Sequence, residues 1–190
     1  MTRPEFQVWP VAGQPVATGC HRFAGPSSTS TALRESAYQR RTRYTDDEGQ
    51  SLADFTLRSS DLEAVRRFVP TDPPAWIQSP FLTWRRADEA AERCSLGSVR
   101  AWQVVADLPL GLTPGEGLDG ASSIVEACFG GTGIVADMAI HVVSTGQRHA
   151  HLLIAARHLR KTHFGAVAGD RHHLINDVLR RAWGQWLSSC

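Results

Sequence analysis

Residues 134–157 read IVADMAIHVVSTGQRHAHLLIAAR. Two apolar runs, Ile134 to Val143 and Arg148 to Arg157, flank the polar link Ser144-Thr145-Gly146-Gln147, a natural hairpin connection between antiparallel strands. Alternate side chains of a strand share a face, so His149 and His151 point the same way and both reach one ion. His141 lies on the preceding strand, where antiparallel pairing brings it beside that couple. Three neutral imidazoles converging on one side make a divalent-metal site with open positions for a substrate oxygen. Isolated histidines are more often surface or satisfied core residues, and His-x-His alone is a weak motif. The reading therefore rests on His141 standing at hairpin distance.

The neighbouring segments set this hairpin in a larger sheet. Val99 to Leu108 reads as a buried strand, with Trp102, Val104 and Ala106 on one face, Gln103, Val105 and Asp107 on the other, and Pro109 stopping it. Helical patterns precede it at Ser79 to Cys94 and follow it at Gly115 to Phe129, the latter ended by Gly130-Gly131. A further helical pattern runs from Arg171 to Leu187. Towards the N-terminus come a short strand (Glu5 to Val11), a Gly/Pro/Ser/Thr-rich loop (Ala12 to Ser30) and a helix (Ala32 to Arg43) with Tyr38 at its middle. A polar turn, Thr45 to Gln50, then closes a small hairpin between Arg43-Tyr44 and Leu52 to Phe55. Asp61 to Val69 takes no assigned type, and Pro70, Pro73 and Pro74 break any helix there. This order predicts an α+β fold: a mainly antiparallel central sheet with flanking helices, in a two-layer or three-layer sandwich.

At 190 residues, 42% hydrophobic and 21% charged, the chain has the usage of one soluble globular domain over 1–190, which excludes disorder, collagen and coiled coil. A formal charge of +1 leaves any nucleic-acid contact to a local basic face. Cys20, Cys94, Cys128 and Cys190 stand far apart, so neither a disulfide framework nor a cysteine zinc site is expected, and a reducing cytoplasm fits. No leader pattern and no run of ~20 apolar residues point to secretion or a membrane. Eight histidines contrast with only two tyrosines, Tyr38 and Tyr44, which limits the candidates for tyrosine chemistry to a pair.

The stretch Gly133 to His141, followed by Arg148 to Ile154, resembles the core of the MobA/MobL mobilisation relaxases, members of the His-hydrophobic-His single-strand endonucleases. Three further stretches agree in order. Ser36-Ala37-Tyr38-Gln39-Arg40 resembles the family's nucleophile helix, and Trp84 to Leu108-Pro109 its helix followed by a strand ending in Leu-Pro. Thr162-His163-Phe164-Gly165 with Leu179 to Trp183 resembles its closing portion, so the likeness spans most of Thr31 to Leu187. Carried over residue by residue, it implies that His141, His149 and His151 hold a metal ion and that Tyr38 is the catalytic tyrosine. The implied reaction nicks and rejoins single-stranded DNA at a plasmid transfer origin through a 5′-phosphotyrosine intermediate, in conjugative mobilisation. Relaxosome accessory proteins and a coupling protein are the implied partners. The resemblance implies manganese or magnesium; imidazole ligands suit manganese, zinc or another transition ion better than magnesium.

Around Tyr38, Arg34 at i−4 and Arg41 at i+3 share its side of the helix; with Arg40 and Arg148 they are candidates for holding DNA phosphates, although each singly reads equally as solvated charge. Tyr44 is expected to pack or stack, and Trp102, Trp183 and Trp186 belong to the core. The chain also departs from the family pattern. Val105 stands where an acidic residue is frequent, so Asp107, of the same strand parity, is the candidate to orient a ligand histidine. Gln147-Arg148 replaces Asn-Pro, Val142-Val143-Ser144 an Asp-rich turn, and Thr29-Ser30-Thr31 a Gly-Arg-Ser-like approach; residues 1–30 diverge, and no appended helicase or primase segment is expected. Two rivals stand beside the relaxase reading: a catalytically degenerate single-stranded DNA-binding module of the same fold, and an H-x-H metal hydrolase using activated water.

Overall fold

The hairpin read from residues 134–157 lies inside a five-stranded sheet. The computed structural model describes residues 6–12, 31–94 and 99–189. In chain order its elements are β1 (Phe6–Ala12), α1 (Ala32–Arg40), β2 (Arg43–Thr45), β3 (Ser51–Asp54), β4 (Leu62–Phe68), α2 (Pro80–Glu92), β5 (Val99–Asp107) and α3 (Pro114–Phe129). There follow β6 (Ala136–Val142), β7 (Arg148–Ala155), β8 (Arg157–Leu159), β9 (Phe164–Val167), a helical turn α4 (Arg171–His173), a π-helical stretch (Leu174–Leu179) and α5 (Arg180–Ser189). The loop expected from Ala12 to Ser30 lies, beyond Ala12, outside the described residues.

The sheet order is β1-β5-β7-β6-β4, with every neighbour pair antiparallel. β7 is therefore central, and its period-two alternation feeds two cores. Leu152 and Ile154 join Val104, Ala106, Met138 and Ile140 against Val125, Phe129, Leu179 and Trp183 of the α3/α5 side. Leu153 and Ala155 face the other way, with Ala101, against Ala32 of α1 and Trp84, Ala87 and Ala90 of α2. Helices thus cover both faces, and the α+β sandwich has three layers. The histidines share the α1/α2 face.

Three expectations change. α1 stops at Arg40 instead of Arg43, because Arg41 turns left-handed at φ 50° and its guanidinium is held beneath the helix end. The untyped segment after Asp61 is edge strand β4, whose charged side chains find partners: Glu63 with Arg148, Arg66 with Asp119 and Arg67 with Asp137. β7 ends at Ala155, and a second small hairpin, β8–β9, follows where no element was expected. The hairpin read around Tyr44 is present as β2–β3. Among the described residues, no helix is long and apolar enough to cross a membrane.

Candidate active site

Register places the three histidines. His141 on β6 pairs directly with His149 on β7, and His151 lies two residues further along the same face. Their ring centroids are 4.5 Å apart for His141 and His151, 4.9 Å for His149 and His151 and 5.7 Å for His141 and His149. One nitrogen of each lies within 4.8 Å of the others, so the trio could hold a metal ion. A tetrahedral ion with bonds of about 2.0–2.1 Å wants its nitrogens about 3.3 Å apart, so the rings would close in on it. The charge state also suits an ion. Burial, with Arg41 second, pushes His141 down to about 4, and burial lowers His149 and takes His151 well below the ordinary imidazole value. All three are neutral at pH 7 and offer lone pairs.

The outer contacts decide which lone pair is offered. His141 donates from Nε2 to the Gln39 carbonyl at 2.7 Å, leaving Nδ1 to accept from Arg41 Nη2 at 3.1 Å. Nδ1 is therefore the atom it would offer an ion, with the ion taking the place of the Arg41 donor. Gln103 Nε2, of a buried amide, lies 3.2 Å from Nδ1 of His151, and among the described residues Gln103 Oε1 has no hydrogen-bond partner. With Oε1 turned to accept from Nδ1–H, Nε2 of His151 is free for an ion. Asp107, the expected orienting acid, stands opposite His149 in the register, and its charge opposes the effect of burial there. Val105 pairs with His151 and brings no polar atom.

Tyr38 joins this cluster from α1. Its ring lies 5.7 Å from His151, 6.2 Å from His141 and 5.3 Å from Phe55, with the Arg41 guanidinium 4.2 Å and the Arg58 guanidinium 6.0 Å from its centroid. Tyr44 turns away: its hydroxyl is 3.2 Å from Ser36 Oγ and its ring 5.4 Å from Phe81. Of the four arginines proposed for phosphates, three hold carboxylates. Arg40 meets Asp137, Arg41 grips Asp61 through Nε and Nη2, and Arg148 grips Glu63 through Nε and Nη2. Arg34 is exposed and lies 5.2 Å from the Phe55 ring.

Sequence reasoning missed Gln103, Asp61, Arg58 and Asp137. Only Gln103 carried a signal, its strand parity with Asp107. Asp137 is fully buried and accepts from Arg40 Nε, Arg67 Nε and Trp84 Nε1, which joins α1, β4 and α2 to β6. Asp88 ties the other end of α1, accepting the Ala32 and Leu33 amides at 2.8 and 3.0 Å. The helix that carries Tyr38 is thus held at both ends against the strands that carry the histidines.

A sequence model described as the MobA/MobL family matches residues 30–178. Among solved structures, one described as the molecular basis of vancomycin resistance transfer in Staphylococcus aureus is similar at a TM-score of 0.72 and 18% identity, covering 98% of this chain and 93% of that one. No curated protein matches the chain.

Proposed function

This chain belongs to the MobA/MobL family of mobilisation relaxases, and on that premise we propose that it nicks and rejoins single-stranded DNA at a transfer origin through Tyr38. The observation that carries this reading is the meeting of Tyr38, 5.7 Å from His151 ring to ring, with three neutral histidines whose nitrogens lie within 4.8 Å of one another. His141, His149 and His151 would hold a divalent ion, with Gln103, Asp107 and the Gln39 carbonyl orienting them. Such an ion would withdraw charge from the scissile phosphate.

Tyr38 Oη attacks the phosphorus, the Tyr–O–P bond forms and the P–O3′ bond breaks. The phenol loses a proton and the departing strand gains one as a 3′-hydroxyl, so the ester bond is conserved and reversal reseals the strand. Arg58 and Arg34, beside Tyr38 and Phe55, are placed to meet phosphate charge. Arg41, neutralised by Asp61, aligns the Tyr38 ring and His141.

Incubation with end-labelled single-stranded origin DNA and manganese is expected to give a protein–DNA adduct that survives a denaturing gel and vanishes with a chelator. Binding without cleavage under all metals would instead favour the binding module. Cleavage without an adduct would favour activated water. For the ion itself, calorimetry with manganese should show His149→Ala losing more than about 100-fold in affinity while His158→Ala, on an exposed residue, stays within about twofold. Equal losses would remove the triad assignment.

A further inference from the structure

A second cluster lies on the α1/α2 face of the sheet, beyond the far end of β7 from the histidines. Arg157 begins β8 and is 3% exposed, yet among the described residues its Nε and Nη2 have no hydrogen-bond partner. Its Nη1 donates to the Gly165 carbonyl at 3.0 Å and approaches Cys94 Sγ at 3.4 Å. No ion pair to Arg157 is present among the described residues. A guanidinium buried with two open donors is costly, because water is lost and no anion replaces it. The same residue lines a cavity of about 520 Å³ between the C-terminal end of α2 and the β8–β9 hairpin, together with Arg93, Cys94, His163 and Gly165. Among the described residues, no carboxylate lines that cavity. The carbonyl end of α2 helps hold cations there, but none of its carbonyls accepts from Nε or Nη2.

We propose that this cavity is a phosphate-binding subsite, in which a shift of the Arg157 side chain turns its buried Nε and Nη2 towards the ligand as the paired donor fork, with Arg93 and His163 closing the wall. A guanidinium fork matches two oxygens of a phosphate, monoester or diester, better than it matches any single neutral acceptor. From His151 the strand β7 runs on to Ala155, about 13 Å, before the bend at Ala156 leads to Arg157. A strand bound at Tyr38 and led along α2 would bring a backbone phosphate to this cavity. That phosphate is bound here does not depend on the nicking reading; that it belongs to the bound strand does.

Thermal unfolding of the full chain in sodium phosphate, against sodium chloride of equal ionic strength, reads the site directly. At phosphate about ten times its Kd, Tm is expected to rise by about 3–6 °C, and the rise is expected to disappear in Arg157→Gln. Should that variant fail to fold, Arg93→Gln and His163→Gln carry the measurement, each with a smaller rise than wild type. In a second arm, binding of a labelled single-stranded oligonucleotide without metal is titrated against salt. If the strand supplies the phosphate, the variants bind more weakly and the salt slope falls by about one; an unchanged slope with phosphate stabilisation intact assigns the site to a free phosphate compound. Equal Tm in phosphate and chloride, or phosphate stabilisation undiminished in every variant, overturns the proposal. The adduct assay is separate, so a chain that makes no adduct still reports on phosphate in the first arm.

Discussion

Tyr38→Phe is expected to abolish the covalent protein–DNA adduct, a loss of at least about 10⁴-fold in rate, because it removes the attacking oxygen and nothing else. The phenyl ring keeps its edge contact with Phe55 and its place beside His151 and the Arg41 guanidinium. Manganese affinity and single-strand binding should therefore stay within about twofold, which separates chemistry from folding. Tyr44→Phe is the matched control. It removes one hydrogen bond to Ser36, worth about 0.5–1.5 kcal/mol, and leaves adduct yield close to wild type. Burial also pushes the Tyr44 phenol up, the wrong direction for a nucleophile at neutral pH. An adduct that survives in Tyr38→Phe and is lost in Tyr44→Phe would transfer the role to the other tyrosine.

The parts of this site legible in the sequence are those fixed by local geometry. Strand periodicity put His149 and His151 on one face, and the short link brought His141 opposite, as the register pair His141–His149 has it. The same alternation separated Trp102, Val104 and Ala106 from Gln103, Val105 and Asp107 across β5. What escaped depends on residues distant in the chain. β4 carries Glu63, Arg66 and Arg67 within seven residues, a pattern unlike a sheet strand until Arg148, Asp119 and Asp137 are in place to neutralise them. The end of α1 escaped for the same reason. Nothing local marks Arg41 for a left-handed turn; its side chain is held there by Asp61, twenty residues on, and by His141, one hundred residues on. Helix spacing marks Arg34 and Arg41, and neither it nor the mere presence of Arg40 and Arg148 in the sequence shows the carboxylates that occupy Arg40, Arg41 and Arg148.

Asp137→Ala is expected to lower stability by about 3–5 kcal/mol, read as a fall in Tm on the order of 10 °C. The ion pairs themselves are no evidence of large net stabilisation, since two guanidinium groups and a carboxylate were taken from water to form them. Removing the carboxylate is a different matter. Arg67 and Arg40, with side chains 13% and 19% exposed, would keep their charges without the anion between them, and the fully buried Trp84 indole N–H would lose its acceptor. Arg67 has one other hold, donation from Nη1 to the Ile77 carbonyl, which does not neutralise it. Asp137→Asn, which keeps one acceptor oxygen, should cost less than Ala. Adding Arg67→Met to Asp137→Ala should restore part of the loss, because an apolar side chain replaces a stranded cation. The functional consequence follows from position: Asp137 and His141 share a face of β6, and Arg40 lies two residues from Tyr38. The loosened helix should lower the rate of adduct formation at saturating DNA even at a temperature where Asp137→Asn remains folded, while manganese affinity at the histidines changes little. A Tm within 2 °C of wild type for Asp137→Ala, or no recovery with Arg67→Met, would show that the cluster holds neither the helix nor the site.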